Sequence, residues 1–134
     1  MRRIALFGAL ALTSSLAFAD VGAGQWEMEI TTTMPGMAPA TAKQSQCITA
    51  EDAKDPGKLF GNPGGGCDFR NRQDTGSVYR FEIACTGATP LAGTGEIRYS
   101  RDTMDGEIVL KMNAGAQPLE TRSRIKAKRT GACK

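Results

Sequence analysis

A chain of 134 residues holds one domain and no more, and 17 basic against 14 acidic side chains leave too little excess charge to grip nucleic acid. Histidine is absent, which removes the commonest general base, the commonest metal ligand and every Ser–His or Cys–His nucleophile pair. No enzymatic activity is expected, and the distinctive side chains left are four cysteines.

Residues 1–19 read as an export signal. Arg2 and Arg3 open it, residues 4–12 are apolar, and Ala17-Phe18-Ala19 places small residues at the third-last and last positions before a cut. The apolar run is too short to cross a bilayer, no later stretch approaches ~20 apolar residues, and Asp20 rather than an acylatable cysteine follows the cut. The expected domain is therefore residues 20–134, without a membrane anchor. Losing Arg2 and Arg3 leaves 15 basic against 14 acidic residues, so the basic excess nearly disappears.

From Trp26 the pattern alternates, with Trp26, Met28 and Ile30 on one side and Glu27, Glu29 and Thr31 on the other, which predicts a half-buried strand. Met34-Pro35-Gly36-Met37-Ala38-Pro39 interrupts it, and an extended segment over residues 41–48 completes a hairpin. Thr49 followed by Glu51 and Asp52 predicts a short helix over residues 50–54 before Pro56. The glycine-rich residues 61–66 lack the Lys-Ser/Thr pair of a phosphate cradle and read as a connector. Strands over residues 67–72, 78–86, 93–100, 104–113 and 118–129 follow at close, regular spacing. The fold expected is mostly β, an antiparallel meander of about seven strands curled into an open or closed barrel-like sheet.

Register follows from satisfying both faces. Pairing Phe69 with Ile83 sets Arg70 across from Glu82 and Cys67 across from Cys85, where cross-strand Cβ atoms approach to about 4.5 Å, near what a disulfide requires. Cys47 and Cys133 are left to pair with each other. The cysteines have no C-x-x-C spacing, so disulfides in an oxidising compartment are expected and neither a metal nor a cofactor is. Pairing Ile97 with Ile108 sets Tyr99 opposite Gly106 and Arg98 opposite Glu107. Pairing Leu119 with Met112 sets Lys111 against Glu120, Glu107 against Arg124 and Asp105 against Lys126. Charges then alternate across three strands, so the row Arg122, Arg124, Lys126 and Lys128 reads as a paired sheet face rather than a binding strip. Lys128 and Arg129 have no assigned partner.

Gly24-Gln25-Trp26-Glu27, Met34-Pro35-Gly36-Met37, Cys47-Ile48-Thr49 with acids after it, Cys85-Thr86-Gly87, Gly93-Thr94-Gly95-Glu96 and Gly131-Ala132-Cys133 occur in this order. In that arrangement the chain resembles the domain-of-unknown-function family numbered 3617, small exported proteins of Gram-negative bacteria. The resemblance implies a periplasmic location and a paired-cysteine β domain, and it brings no activity.

Three binding roles are compatible with these residues. The first is a non-catalytic envelope protein holding a small apolar ligand on the inner sheet face, with Trp26, Met28, Phe81, Tyr99 and Met112 as candidate contacts on a face shared with Ile30, Phe69, Tyr79, Ile83, Ile97, Ile108, Leu110, Leu119 and Ile125. The alternative is a protein-binding module, such as an inhibitor of a lysozyme-type hydrolase presenting residues 61–66. The least favoured is a soft-metal binder using the Met34 and Met37 thioethers.

Overall fold

The structure, a computed structural model, describes residues 20–55, 59, 66–87 and 90–134. The alternating segments become β1 (Gly24–Thr33), β2 (Ala40–Ile48), β3 (Cys67–Asp74), β4 (Val78–Cys85), β5 (Leu91–Tyr99), β6 (Thr103–Ala114) and β7 (Gln117–Gly131). All pair antiparallel in one sheet of order β2-β1-β7-β6-β5-β4-β3. The meander from β3 to β7 thus returns to the first hairpin, and β2 and β3 are left as edges. The sheet is open rather than a closed barrel.

Turn chemistry places the hairpins. Gly36 takes φ +76° between Met34 and Met37, whose backbone N–H donates to the Met34 carbonyl at 3.2 Å. Gly115, at φ +72°, forms the tight link between β6 and β7. Both positions need the left-handed backbone that glycine adopts without penalty. The helix expected over residues 50–54 is only a three-residue 3-10 turn, Asp52–Lys54. Its N-cap position is Glu51 rather than Thr49, while the Thr49 hydroxyl just before it accepts from the Asp52 N–H at 3.1 Å and donates to the Asp52 carboxylate at 2.8 Å.

Both expected disulfides form, Cys67–Cys85 where the register sets it and Cys47–Cys133 as the remaining pair. Phe69 faces Ile83, Arg70 faces Glu82 and Met112 faces Leu119. The β5–β6 register is a correction. Ile97 faces Gly106 rather than Ile108, Tyr99 faces Met104, and Arg98 faces Asp105. The cause is a turn one position earlier than expected: the Ser100 N–H donates to the Thr103 carbonyl at 2.8 Å, so Arg101-Asp102 turns the chain instead of Asp102-Thr103. Moving a hairpin turn by one residue moves its register by two, which keeps every side chain on its expected face. Large side chains then lie against glycines. A Cβ on Gly106 would stand 2.4 Å from Ile97 Cδ1, and one on Gly95 would stand 2.2 Å from Phe81 Cζ.

The core is centred at one end of the sheet and extends along β4 through Phe81 and Ile83. Trp26 is 0 % exposed and packs with Met28, Ile97, Tyr99, Met104 and Ile125 in one buried cluster. A strap formed by residues 20–23 runs over this end. The Gly22 N–H donates to the Arg101 carbonyl at 2.8 Å, the Trp26 indole N–H donates to the Gly22 carbonyl at 2.9 Å, and Arg129 Nε donates to the Ala23 carbonyl at 2.7 Å. Arg129 also lies 3.6 Å from the Asp102 carboxylate, so it has partners that the sequence did not assign.

Candidate functional site

Directly paired residues share a face, so the inner face can be read in rows across the strands. One row runs Met28, Ala127, Met104, Tyr99, and all four are buried. Toward the other end, Ser123, Ile108 and Gly95 are followed by Thr121, Leu110 and Gly93, and then by Leu119, Met112 and Leu91. There Ile108, Leu110, Met112, Leu119 and Leu91 are all half-buried, as is Phe69 on β3. The buried Phe81 and Ile83 of β4 lie in these same rows, and Phe69, Ile108 and Leu110 pack against the buried cluster, so the alternating pattern gives a fully buried half and a half that is partly open on β5 to β7.

The five candidate ligand contacts divide across that line. Trp26, Met28, Phe81 and Tyr99 belong to the buried cluster, where they touch protein and present almost no surface. Met112 belongs to the open half. Apolar side chains that the sequence placed on the same face, Phe69, Leu110 and Leu119 among them, join Met112 there.

The Tyr99 hydroxyl donates to the Asp74 carboxylate at 2.5 Å, and burial, followed by that hydrogen bond, pushes the phenol well above its ordinary value. Burial raises Tyr79 too. Both tyrosines are core residues, and the Tyr79 hydroxyl is itself buried.

The edge strand β3 carries a feature that the alternating pattern concealed. Its pairing with β4 shifts between Arg70 and Gln73, so Asn71 and Arg72 together oppose Phe81. Asn71 has φ +48°, the one non-glycine residue at positive φ among the described residues, and its side-chain amide donates to the Glu82 carboxylate at 2.8 Å. A bulge re-aims the residue that follows it. Arg72 thereby turns to the inner face, where its guanidinium lies 5.4 Å from the centre of the Phe69 ring. Phe69 in turn meets Phe81 edge to face at 5.1 Å. The asparagine inside Arg70-Asn71-Arg72 was the available signal, since asparagine tolerates the left-handed region better than most residues.

The outer face is a lattice of charges. A depression of about 730 Å³ crosses it, with Arg80, Glu96, Asp105, Glu107 and Arg124 in its lining. The corrected register sets Glu96 directly opposite Glu107. Like charges at that position repel, and arginines offset the repulsion. Glu96 takes Arg80 at 2.8 Å and Arg98 at 3.2 Å, while Glu107 takes Arg122 at 3.0 Å and Arg124 at 3.8 Å. The hydrogen bond from Arg80 holds the Glu96 carboxyl below its ordinary value. The expected β6–β7 cross-strand pairs are in register, and the Lys111–Glu120 distance is 3.9 Å.

The remaining sequence candidates lie apart from the inner face. Met37 is 62 % exposed on the β1–β2 turn and Met34 is half-buried beside it. Of the connector proposed as an inhibitory loop, only Gly66 is among the described residues, and the export signal lies wholly outside them.

A family model described as protein of unknown function (DUF3617) matches residues 21–133, and the chain belongs to that family. Neither a curated protein nor a solved structure matches the chain.

Proposed function

We propose that this DUF3617 protein is an exported, periplasmic, non-catalytic binding protein that holds a small apolar ligand against the open half of its inner sheet face. One observation carries the reading. Ile108, Leu110, Met112, Leu119 and Leu91 continue the buried face without interruption, yet each keeps part of its surface accessible. Contiguous apolar surface left uncovered marks binding sites more often than chance exposure. Methionine suits such a wall because its unbranched thioether adapts to ligands of different shape. Phe81, buried over Gly95 in the same row as Ile108, packs the floor of that face, so binding there orders little protein and little affinity is lost to reorganisation.

Export rests on residues 1–19, and the family match beginning at residue 21 supports a domain that starts just after them. Two disulfides suit an oxidising envelope.

The experiment is native mass spectrometry of protein taken from the periplasm, followed by titration with uncharged aliphatic alcohols. A retained hydrocarbon-rich ligand, or saturable one-to-one binding of an alcohol, is expected. Protein that carries no ligand and binds none of the alcohols overturns the reading.

A further inference from the structure

Resting on that reading, we infer that the ligand is an anionic amphiphile: its aliphatic tail lies on the open half of the inner face and its carboxylate-like head is held by Arg72. The β3 bulge turns a cation, Arg72, to the inner face, where it lies over Phe69 and within electrostatic reach of Tyr79. The inner face is otherwise apolar or hydroxyl-bearing between Phe69 and Leu119, and the regular alternation of β3 would turn the side chain after Arg70 inward as Asn71 and send Arg72 outward. The bulge reverses this. It holds Asn71 at φ +48°, a conformation that costs free energy for any residue with a side chain, and such backbone persists where the surroundings fix it. The Asn71 amide bonded to Glu82 on the outer face does the fixing, and the inward position passes to Arg72.

The chemistry around Arg72 fits a head group. Its guanidinium lies on the face of Phe69, which leaves the edge of the fork free to donate two parallel hydrogen bonds to a carboxylate. The acids that face it have other partners or stand off. Asp74, the next inward residue on β3, accepts from the Tyr99 hydroxyl, and Asp55 lies within electrostatic reach of Tyr79. Among the described residues, none of these carboxylates lies within ion-pair distance of Arg72, although every other arginine from Arg70 to Arg129 except Arg101 has one. From Arg72 the row through Phe81 and Gly95 leads to Ile108 on β6. Strands stand about 4.8 Å apart, so β3 to β7 spans about 19 Å, room for an extended aliphatic chain to lie across the strands.

The test compares dodecanoate, dodecanol and dodecyltrimethylammonium by calorimetric titration of ligand-free wild-type protein below their micellar concentrations. Wild type is expected to bind dodecanoate about tenfold tighter than dodecanol, with the ammonium weakest. Arg72→Gln should bring dodecanoate and dodecanol to within about twofold of each other and leave dodecanol affinity unchanged, while Arg72→Lys keeps part of the preference. The Arg72 side-chain N–H resonances in wild type should shift with dodecanoate and not with dodecanol, a readout independent of whether a variant folds. Equal affinity for dodecanoate and dodecanol, or a preference that survives Arg72→Gln, overturns the head-group assignment and leaves the apolar site standing. Failure of all three probes to bind wild type overturns the apolar site itself and the head group with it.

Discussion

The two halves of the inner face have the same sequence pattern and different fates. At one end Trp26, Met104, Tyr99 and Ile125 are sealed by the strap of residues 20–23 and by the turn that ends at Thr103. At the other end Leu91, Met112 and Leu119 lie beside one another on three strands, partly accessible. The difference teaches that alternation specifies a face, whereas burial depends on what crosses that face. An open sheet with one covered end is sealed at that end and leaves apolar side chains partly accessible at the other. Each end also has its own disulfide, Cys47–Cys133 near the strap and Cys67–Cys85 near the open end.

This contrast can be broken by measurement. Replacing Cys47 and Cys133 by serine should cause the largest loss, about 4 to 5 kcal/mol in urea unfolding, because the bridge closes a sequence separation of 86 residues. The Cys67–Cys85 bridge spans only 18 and should cost about 3 kcal/mol. Next comes packing: Trp26→Ala should cost about 3 to 5 kcal/mol, while Leu110→Ala, already half-exposed, should cost about 1 to 2 kcal/mol. Equal losses for these two would erase the distinction between the halves. Gly95→Ala places a methyl group into the Phe81 ring and should cost about 1 to 3 kcal/mol by overpacking.

Smaller effects are read by pH. The Tyr99 phenol is raised in the folded state, by burial first and the Asp74 hydrogen bond second. The protonated form is therefore favoured by folding, and its contribution is complete below the ordinary value of 10.0 and lost as pH climbs beyond it. Unfolding midpoints above pH 10 should fall more steeply for wild type than for Tyr99→Phe. Glu96 has the opposite sign: its carboxyl is lowered, so its contribution is present above 4.5 and fades as pH falls. Arg80→Ala should produce the smallest change, one that added salt removes, because the pair is exposed.

Much of this architecture is legible in the chain. Period-two alternation assigned inner and outer faces, and matching charges outside with apolar residues inside gave the β3–β4 and β6–β7 registers, including the Cys67–Cys85 pair. The β5–β6 register was two residues off because Arg101-Asp102 and Asp102-Thr103 are both polar turn pairs, and parity alone cannot separate them. The glycines at 95 and 106 were the deciding residues, since Phe81 and Ile97 need them as neighbours. The bulge at Asn71 was hidden for a related reason: residues 69, 71 and 73 look like one face until a single inserted residue reverses it. The strap was invisible because residues 20–23 have no periodic pattern and act through backbone groups at 22 and 23. Without it, the sequence made Trp26 and Met112 equivalent members of one candidate site.

The most direct measurement is a methyl NMR titration of the protein with dodecanol, reading isoleucine, leucine and methionine side chains together. Saturable shifts at Ile108, Leu110, Met112 and Leu119, with Ile97, Ile48 and Met104 unmoved, are the predicted result. Shifts centred on Ile97 and Met104, or no saturable shift on the inner face, would contradict the division of that face into a packed half and a binding half.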